Sequence, residues 1–194
     1  MRTTHLLYLH GFRSSPRSTK ARMMAALVAA RFPELTWWCP QLSPSPREAM
    51  LFVTQGTAAW PRERMAVVGS SLGGFYATWL AERTGCKAVL LNPAVFAARD
   101  LAGHTGEHCG WHDPQERFFF LPEFVDELKA LDVKTCTRPE RYYAIVAKGD
   151  KVLDWREMVA RYPGTAIRLL EGGDHALSDF DNHIDSVLEF LGLA

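Results

Sequence analysis

Five residues near the middle of the chain, Gly69-Ser70-Ser71-Leu72-Gly73, follow the apolar run Met65-Ala66-Val67-Val68. They read as G-x-S-x-G with Ser71 at the centre, a pattern in which a strand turns sharply into a helix with a nucleophile at the apex. Residues two before and two after the apex must lack bulk, because strand and helix pass close together there. Around Ser71 these are Gly69 and Gly73, whereas around Ser70 they would be Val68 and Leu72, which would collide. The bland alternative is a glycine turn whose serine only caps the helix. A phosphate-cradling loop fits less well, since no Lys-Ser/Thr follows at the required spacing.

A nucleophilic serine needs a base, and the base needs an orienting acid. On a strand–elbow–helix scaffold the expected order is Ser, acid, His. Of the seven histidines, His5 and His10 precede Ser71, His104, His108 and His112 fall in an irregular stretch, and His183 is expected inside the last helix. His175 follows a strand end in a glycine-softened turn and is the expected base. For the acid, Asp150 lies just past the strand RYYAIVAKG. Its rival, Asp154, begins a capping-box pattern (Asp154-Trp155-Arg156-Glu157) that would occupy its carboxylate at a helix N-terminus. Asp174 adjoins His175 and is poorly placed to reach the far ring nitrogen. Such a set performs acyl transfer through a covalent acyl-serine. The developing oxyanion needs two N–H donors, expected from Leu72, which follows the nucleophile, and from Phe12, in the loop after the first strand. His10 is expected to hold that loop rather than to react.

These groups must be positioned by regular elements. Continuously apolar strand runs fall at 5–9, 35–38, 65–69, 87–91, 142–147 and 166–170. Helical stretches alternate with them: Ser18 to Arg31 with Ser18 as N-cap, Pro46 to about Ala59, Leu72 to Arg83, Pro122 to Leu131, Asp154 to Tyr162, and roughly Asp181 to Leu191. Strand runs without polar alternation imply a predominantly parallel, six-stranded sheet buried by helices on both faces. Sites in such sheets lie at the carboxyl ends of the strands. The chain reads as one α/β domain over residues 1–194, with residues 98–140 forming a small lid over that edge. Gly103, Gly106, Gly110 and Pro114 deny 98–120 a clear period.

His104-x3-His108-x3-His112, beside Cys109 and Asp113, has a spacing that would gather metal ligands on one helical face. The glycines argue against a helix there, so no metal site is expected, and the acyl chemistry requires no cofactor. The lid aromatics Trp111, Phe118, Phe119 and Phe120 either line a substrate pocket, with Trp111 and Phe118 the candidates, or pack the lid onto the body.

Composition sets bounds on partners. Lys+Arg and Asp+Glu both number 22 in 194 residues, so the net charge is zero and offers nothing that would attract nucleic acid or an anionic membrane. No apolar run reaches 18 residues, and the N-terminus lacks a signal-peptide pattern. The four scattered cysteines fit free thiols in a reducing compartment. The expected molecule is a cytoplasmic monomer or homodimer acting on a small molecule.

The segments HGFRSSPRSTKA, GSSLGGFYATWLA, LLNPAV, LDVKTCTRPERYYAIVAKGDKVLDWR and EGGDHALSDF together resemble the small bacterial YqiA-type esterases of the α/β-hydrolase superfamily. The resemblance covers essentially the whole chain. It implies hydrolysis of carboxylic esters or acyl thioesters, with acyl-CoA a substrate class, and assigns nucleophile, acid and base to Ser71, Asp150 and His175. The departure is greatest in GHTGEHCGWHDPQERFFF, which bears on substrate preference. Amide hydrolysis or acyl transfer by the same residues, or a non-catalytic binding module that keeps the fold, are the alternatives.

Overall fold

The computed structural model describes residues 2–113, 115 and 117–194; Pro114, one of the lid residues read as loop-forming, lies outside them. Chain order is β1 (His5–Leu9), α1 (Thr19–Arg31), β2 (Thr36–Trp38), α2 (Pro46–Gly56), β3 (Met65–Ser70), α3 (Leu72–Thr84) and β4 (Lys87–Leu91). There follow α4 (Ala97–Leu101), β5 (Gly106–Cys109), β6 (Arg117–Phe120) and α5 (Pro122–Ala130). The chain closes with β7 (Tyr142–Ala147), α6 (Trp155–Arg161), β8 (Ala166–Leu170) and α7 (Ile184–Leu191).

Six strands form one sheet in the order β2-β1-β3-β4-β7-β8, and every neighbouring pair is parallel. Side chains alternate between its two faces, and both faces are covered. Leu7 and Leu9 of β1 pack with Met50 and Val53 of α2 and with Phe75 and Leu80 of α3. Leu6 and Tyr8 of the same strand pack with Met24 and Val28 of α1 and with Leu188 and Leu191 of α7. Burial on both faces is why the strand runs carry no polar alternation, and each fully buried aliphatic side chain contributes about 1.5–3 kcal/mol. The edge strands are the exceptions: β8 is exposed at Ala166, Arg168 and Leu169, and β2 is exposed at Thr36 and half-buried at Trp37 and Trp38.

The sheet topology also locates the site. From β1 the chain goes out to β2 on one side and returns to β3 on the other, so a switch point opens between β1 and β3. The loop bearing Gly11 and Phe12 leaves β1 there, and Ser71 leaves β3.

Several boundaries differ from the sequence expectation. Helix α2 ends at Gly56, not near Ala59, where Trp38 lies so close to Gly56 that a Cβ there would meet the indole at 2.2 Å. The closing segment is split: a 3-10 turn, Phe180–His183, precedes α7, so His183 stands at the position before the helix instead of lying within it. The stretch without clear period holds regular structure, namely α4, a short 3-10 turn, and an antiparallel hairpin of β5 and β6. Four-residue strands are too short to display a period, and the β5 side, Gly-Glu-His-Cys, has no apolar alternation at all.

Candidate active site

The turn from β3 into α3 is tight because it is built without side chains at its closest points. A Cβ on Gly69 would lie 2.2 Å from the carbonyl oxygen of Gly73, and one on Gly73 would lie 1.9 Å from that of Leu9. Ser71 sits at the apex with φ 57° and ψ −120°, a left-handed conformation costly for a residue with a Cβ. Its backbone is fastened on both sides: its N–H donates to Leu91 O at 3.0 Å, and its carbonyl accepts from Gly74 N at 2.9 Å and Ala94 N at 3.0 Å. Ser70 still belongs to β3 and is buried.

The structure brings Ser71, His175 and Asp150 together from three loops at the carboxyl edge of the sheet. Ser71 Oγ lies 3.0 Å from His175 Nε2, and His175 Nδ1 lies 2.7 Å from Asp150 Oδ2. Asp150 Oδ1 accepts from the backbone N–H groups of Val152 at 2.7 Å and Leu153 at 3.0 Å. The Asp150 side chain is fully buried. Burial pushes its carboxyl up, but the His175 hydrogen bond and the two amides outweigh burial, so its pKa falls below the ordinary 3.8 and the group stays ionised at neutral pH. With a carboxylate on Nδ1, the neutral ring carries its proton there and leaves Nε2 free to accept from Ser71. The loops bearing Asp150 and His175 also touch directly: Gly149 N–H donates to Gly172 O at 3.1 Å, and a Cβ on Gly149 would meet Gly173 O at 2.1 Å.

The two neighbouring acids are engaged elsewhere. Asp154 caps α6, its Oδ1 accepting from Arg156 N at 2.9 Å. The reciprocal half of the capping pattern is absent, because Glu157 forms a two-pronged pair with Arg99 at 2.8 and 2.7 Å. Asp174 bonds to Ser178, through both its amide and its hydroxyl.

The Gly11–Phe12 loop passes beside the serine: a Cβ on Gly11 would lie 3.6 Å from Ser71 Oγ. Phe12 and Leu72 both line a cavity of about 560 Å³ into which Ser71 and His175 open. Among the described residues neither the Phe12 nor the Leu72 N–H has a hydrogen-bond partner. For Leu72 this follows from its position, since the first N–H groups of a helix have no carbonyl behind them.

His10 is buried behind this loop. Its Nδ1 donates to Gly11 O at 3.0 Å, and its Nε2 accepts from Leu42 N–H at 3.1 Å, an arrangement only the neutral ring can make. Burial is the main reason its pKa drops from 6.5 to about 4. Between these values the unfolded chain binds the proton and the folded one does not, so stability is lost as pH falls from 6.5 towards 4. Urea denaturation at pH 7 and pH 4.5 should register a loss from this residue of about 2 kcal/mol over that interval. His10→Gln should flatten the profile by that amount; an unchanged profile would refute the assignment.

The lid lies against Phe12. That ring meets His104, His108, Phe118 and Phe120 at centroid distances of 6.2, 5.2, 5.9 and 5.3 Å. In β6 the side chains alternate, with Phe120 buried, Phe118 half-buried and Phe119 exposed, so the three consecutive phenylalanines do not share one role. Arg13, at φ 59°, donates from Nε to Cys109 O at 2.9 Å, stacks on Trp111 at 4.1 Å, and accepts at its carbonyl from Trp111 N–H at 2.7 Å. Trp111 borders the cavity that holds Ser71. Phe118 borders a neighbouring one of about 530 Å³ that shares Phe12 and Leu72 with it. His104, His108 and His112 fall in a 3-10 turn, a strand and a loop, and so do not share a helical face. Among the described residues no three His, Cys, Asp or Glu side chains gather as metal ligands would, and no helix is long and apolar enough to cross a membrane.

One residue at this edge escaped the sequence reading. Asn92, wholly buried at the end of β4, bonds through its side chain to the histidine loop and to β7. Its only local signal was a polar residue ending an otherwise apolar strand run.

The model of an uncharacterised protein family, UPF0227, matches residues 5–192. Among solved structures, Est1E from Butyrivibrio proteoclasticus, with ferulic acid bound, superposes with a TM-score of 0.75 at 12% identity, covering 98% of this chain and 88% of that one. Alpha/beta hydrolase domain-containing protein 10 from mouse gives a TM-score of 0.71 at 16% identity, covering 98% and 91%. The esterase domain of a Rhodothermus marinus protein gives 0.67 at 16% identity, covering 100% and 85%. At these identities the likeness is one of fold, and the fold is that of the α/β-hydrolases.

Proposed function

Because the chain belongs to the YqiA-like family UPF0227, we propose, from that premise and its α/β-hydrolase fold, that it is a serine hydrolase cleaving carboxylic esters through an acyl-enzyme on Ser71. One observation carries the proposal: the unbroken hydrogen-bonded line from Ser71 Oγ through the His175 ring to the buried Asp150 carboxylate. Structural neighbours that are themselves esterases support the ester-cleaving class.

In this reading His175 Nε2 takes the hydroxyl proton as Ser71 Oγ bonds to the substrate carbonyl carbon. The carbonyl oxygen becomes an oxyanion facing the N–H groups of Leu72 and Phe12. As the tetrahedral species collapses, the proton on Nε2 passes to the departing alkoxide, leaving an ester on Ser71. Water then attacks this ester, giving its proton to His175, and the second collapse returns the proton to Ser71 Oγ and releases the acid. Asp150 stays ionised throughout and stabilises the imidazolium. The resemblance to YqiA-type esterases extends the substrates to acyl thioesters such as acyl-CoA, where a thiolate departs instead. The largely apolar cavity suits an acyl or aromatic group, with Trp111 as a contact and Phe118 in the adjoining cavity.

The test is labelling of the native protein with a fluorophosphonate probe followed by peptide mapping, alongside assays on p-nitrophenyl esters and acyl-CoA. A label on Ser71 with turnover of at least one substrate class is expected. An unlabelled protein without turnover would overturn the proposal in favour of a binding module that keeps the fold.

A further inference from the structure

We propose that Asn92 is a positioning residue that holds the loop of His175 and the strand leading to Asp150 in one rigid frame. The inference rests on the reading of His175 and Asp150 as base and acid.

Asn92 directly follows β4, whose last residue, Leu91, receives the Ser71 N–H, and it precedes Ala94, which donates to the Ser71 carbonyl. It therefore stands between the serine on one side and β7 on the other. Its exposure is 0% and its φ is 42°, a left-handed value that asparagine tolerates better than most residues with a Cβ. That backbone angle turns the side chain out of the strand register and across the neighbouring strand ends.

Every polar valence of the side-chain amide except one lone pair is used. Nδ2 donates to the carbonyls of Asp174 at 2.9 Å and His175 at 3.2 Å. Oδ1 accepts the N–H of Ala147 at 2.8 Å. Two carbonyls on one side and an N–H on the other fix which end of the amide is which. The backbone N–H of Asn92 donates to Ile145 O at 3.0 Å, the last rung of the ladder between β4 and β7, so the side chain adds one further rung where the backbones part. Ala147 in turn accepts the N–H of Asp150 at 3.2 Å. One amide thus grips the base at its own carbonyl and the acid through the turn that carries it.

The 2.7 Å contact between His175 and Asp150 joins two loops that otherwise meet near the glycines 149, 172 and 173. Without the Asn92 bonds, the His175 carbonyl has no partner among the described residues and the ring can move relative to both Ser71 and Asp150. Misplacement of a reacting group by about 1 Å can cost on the order of 10²-fold in rate. The shape-conserving change is Asn92→Asp, which keeps the acceptor for Ala147 but sets a carboxylate oxygen against two carbonyls. The deletion is Asn92→Gly, which suits the backbone angle and removes only the side chain.

Two readouts separate positioning from general stabilisation. The first is the kcat against KM split for an ester substrate: both variants should lose about 10²-fold in kcat with KM nearly unchanged. The second is the far-downfield proton resonance of the His175 Nδ1–H held by Asp150, identified by its absence in Asp150→Ala. It should broaden or disappear in both Asn92 variants while the folded signals persist. If Asn92→Asp does not fold, Asn92→Gly carries both measurements. Folded variants that keep wild-type kcat and the resonance would overturn the inference. Should the native protein show no hydrolysis, the enzymatic reading fails, but the resonance still decides whether Asn92 sets the histidine.

Discussion

Ser71→Ala is expected to lower kcat for ester hydrolysis by about 10⁶-fold, the scale on which loss of a nucleophile acting as one unit with its base registers. The alanine removes the Oγ that His175 Nε2 meets at 3.0 Å, and no neighbour can take its place. Ser70, the adjacent hydroxyl, is buried in β3 and belongs to the strand before the apex. KM should change little, because the cavity walls remain and binding does not need the hydroxyl. Fluorophosphonate labelling should vanish with turnover, whereas Ser70→Ala should keep both within a few-fold of the native protein. Near-normal turnover by purified Ser71→Ala would refute the covalent mechanism.

The second large effect separates two acids only four residues apart. Asp150→Asn should lower kcat by about 10⁴-fold, because it imposes the wrong tautomer on the base. The structure says why the new amide cannot avoid this. The N–H groups of Val152 and Leu153 at 2.7 and 3.0 Å demand an acceptor at the Oδ1 position, so the NH₂ of an asparagine must occupy the Oδ2 position and donate to His175 Nδ1. The imidazole would then carry its proton on Nε2, facing Ser71, and could not accept another. Asp154→Asn should leave kcat within a few-fold, since asparagine caps a helix about as well as aspartate and Asp154 faces only its own helix. Parallel steady-state assays of the two variants suffice. Loss at Asp154 with retention at Asp150 would reverse the assignment of the acid.

Much of the sheet was legible because burial on two faces leaves a local signature. Runs such as Met65–Val68 and Tyr142–Ala147 are apolar at every position, which only a strand covered by helices on both sides requires. The place of the lid and its helix α5 were legible, but its hairpin was not. Its hairpin is held by Phe118 and Phe120 packing on Phe12, more than a hundred residues earlier, while its other strand, Gly106–Cys109, carries no apolar pattern. The end of α2 was set by Trp38 closing on Gly56, a contact between separate elements that helix propensity does not register.

The sequence by itself determined which residue types stand at the strand ends and in what order. Ser71 between two glycines, an acid after one late strand and a histidine after the next are local patterns, because a tight elbow and a strand-end turn each need only neighbouring residues to form. It also singled out Ser71 over Ser70, and the reason is visible as the 2.2 and 1.9 Å approaches that side chains at 69 and 73 would suffer. Only the tertiary structure decided what holds these groups at working distance. The bonds from Asn92 span 82, 83 and 55 residues, and the seat of Phe12 against Phe118 of the lid spans 106. Contacts at such separation depend on where the sheet brings loops together, and a hydrogen bond between distant residues imposes no spacing on the residues beside it.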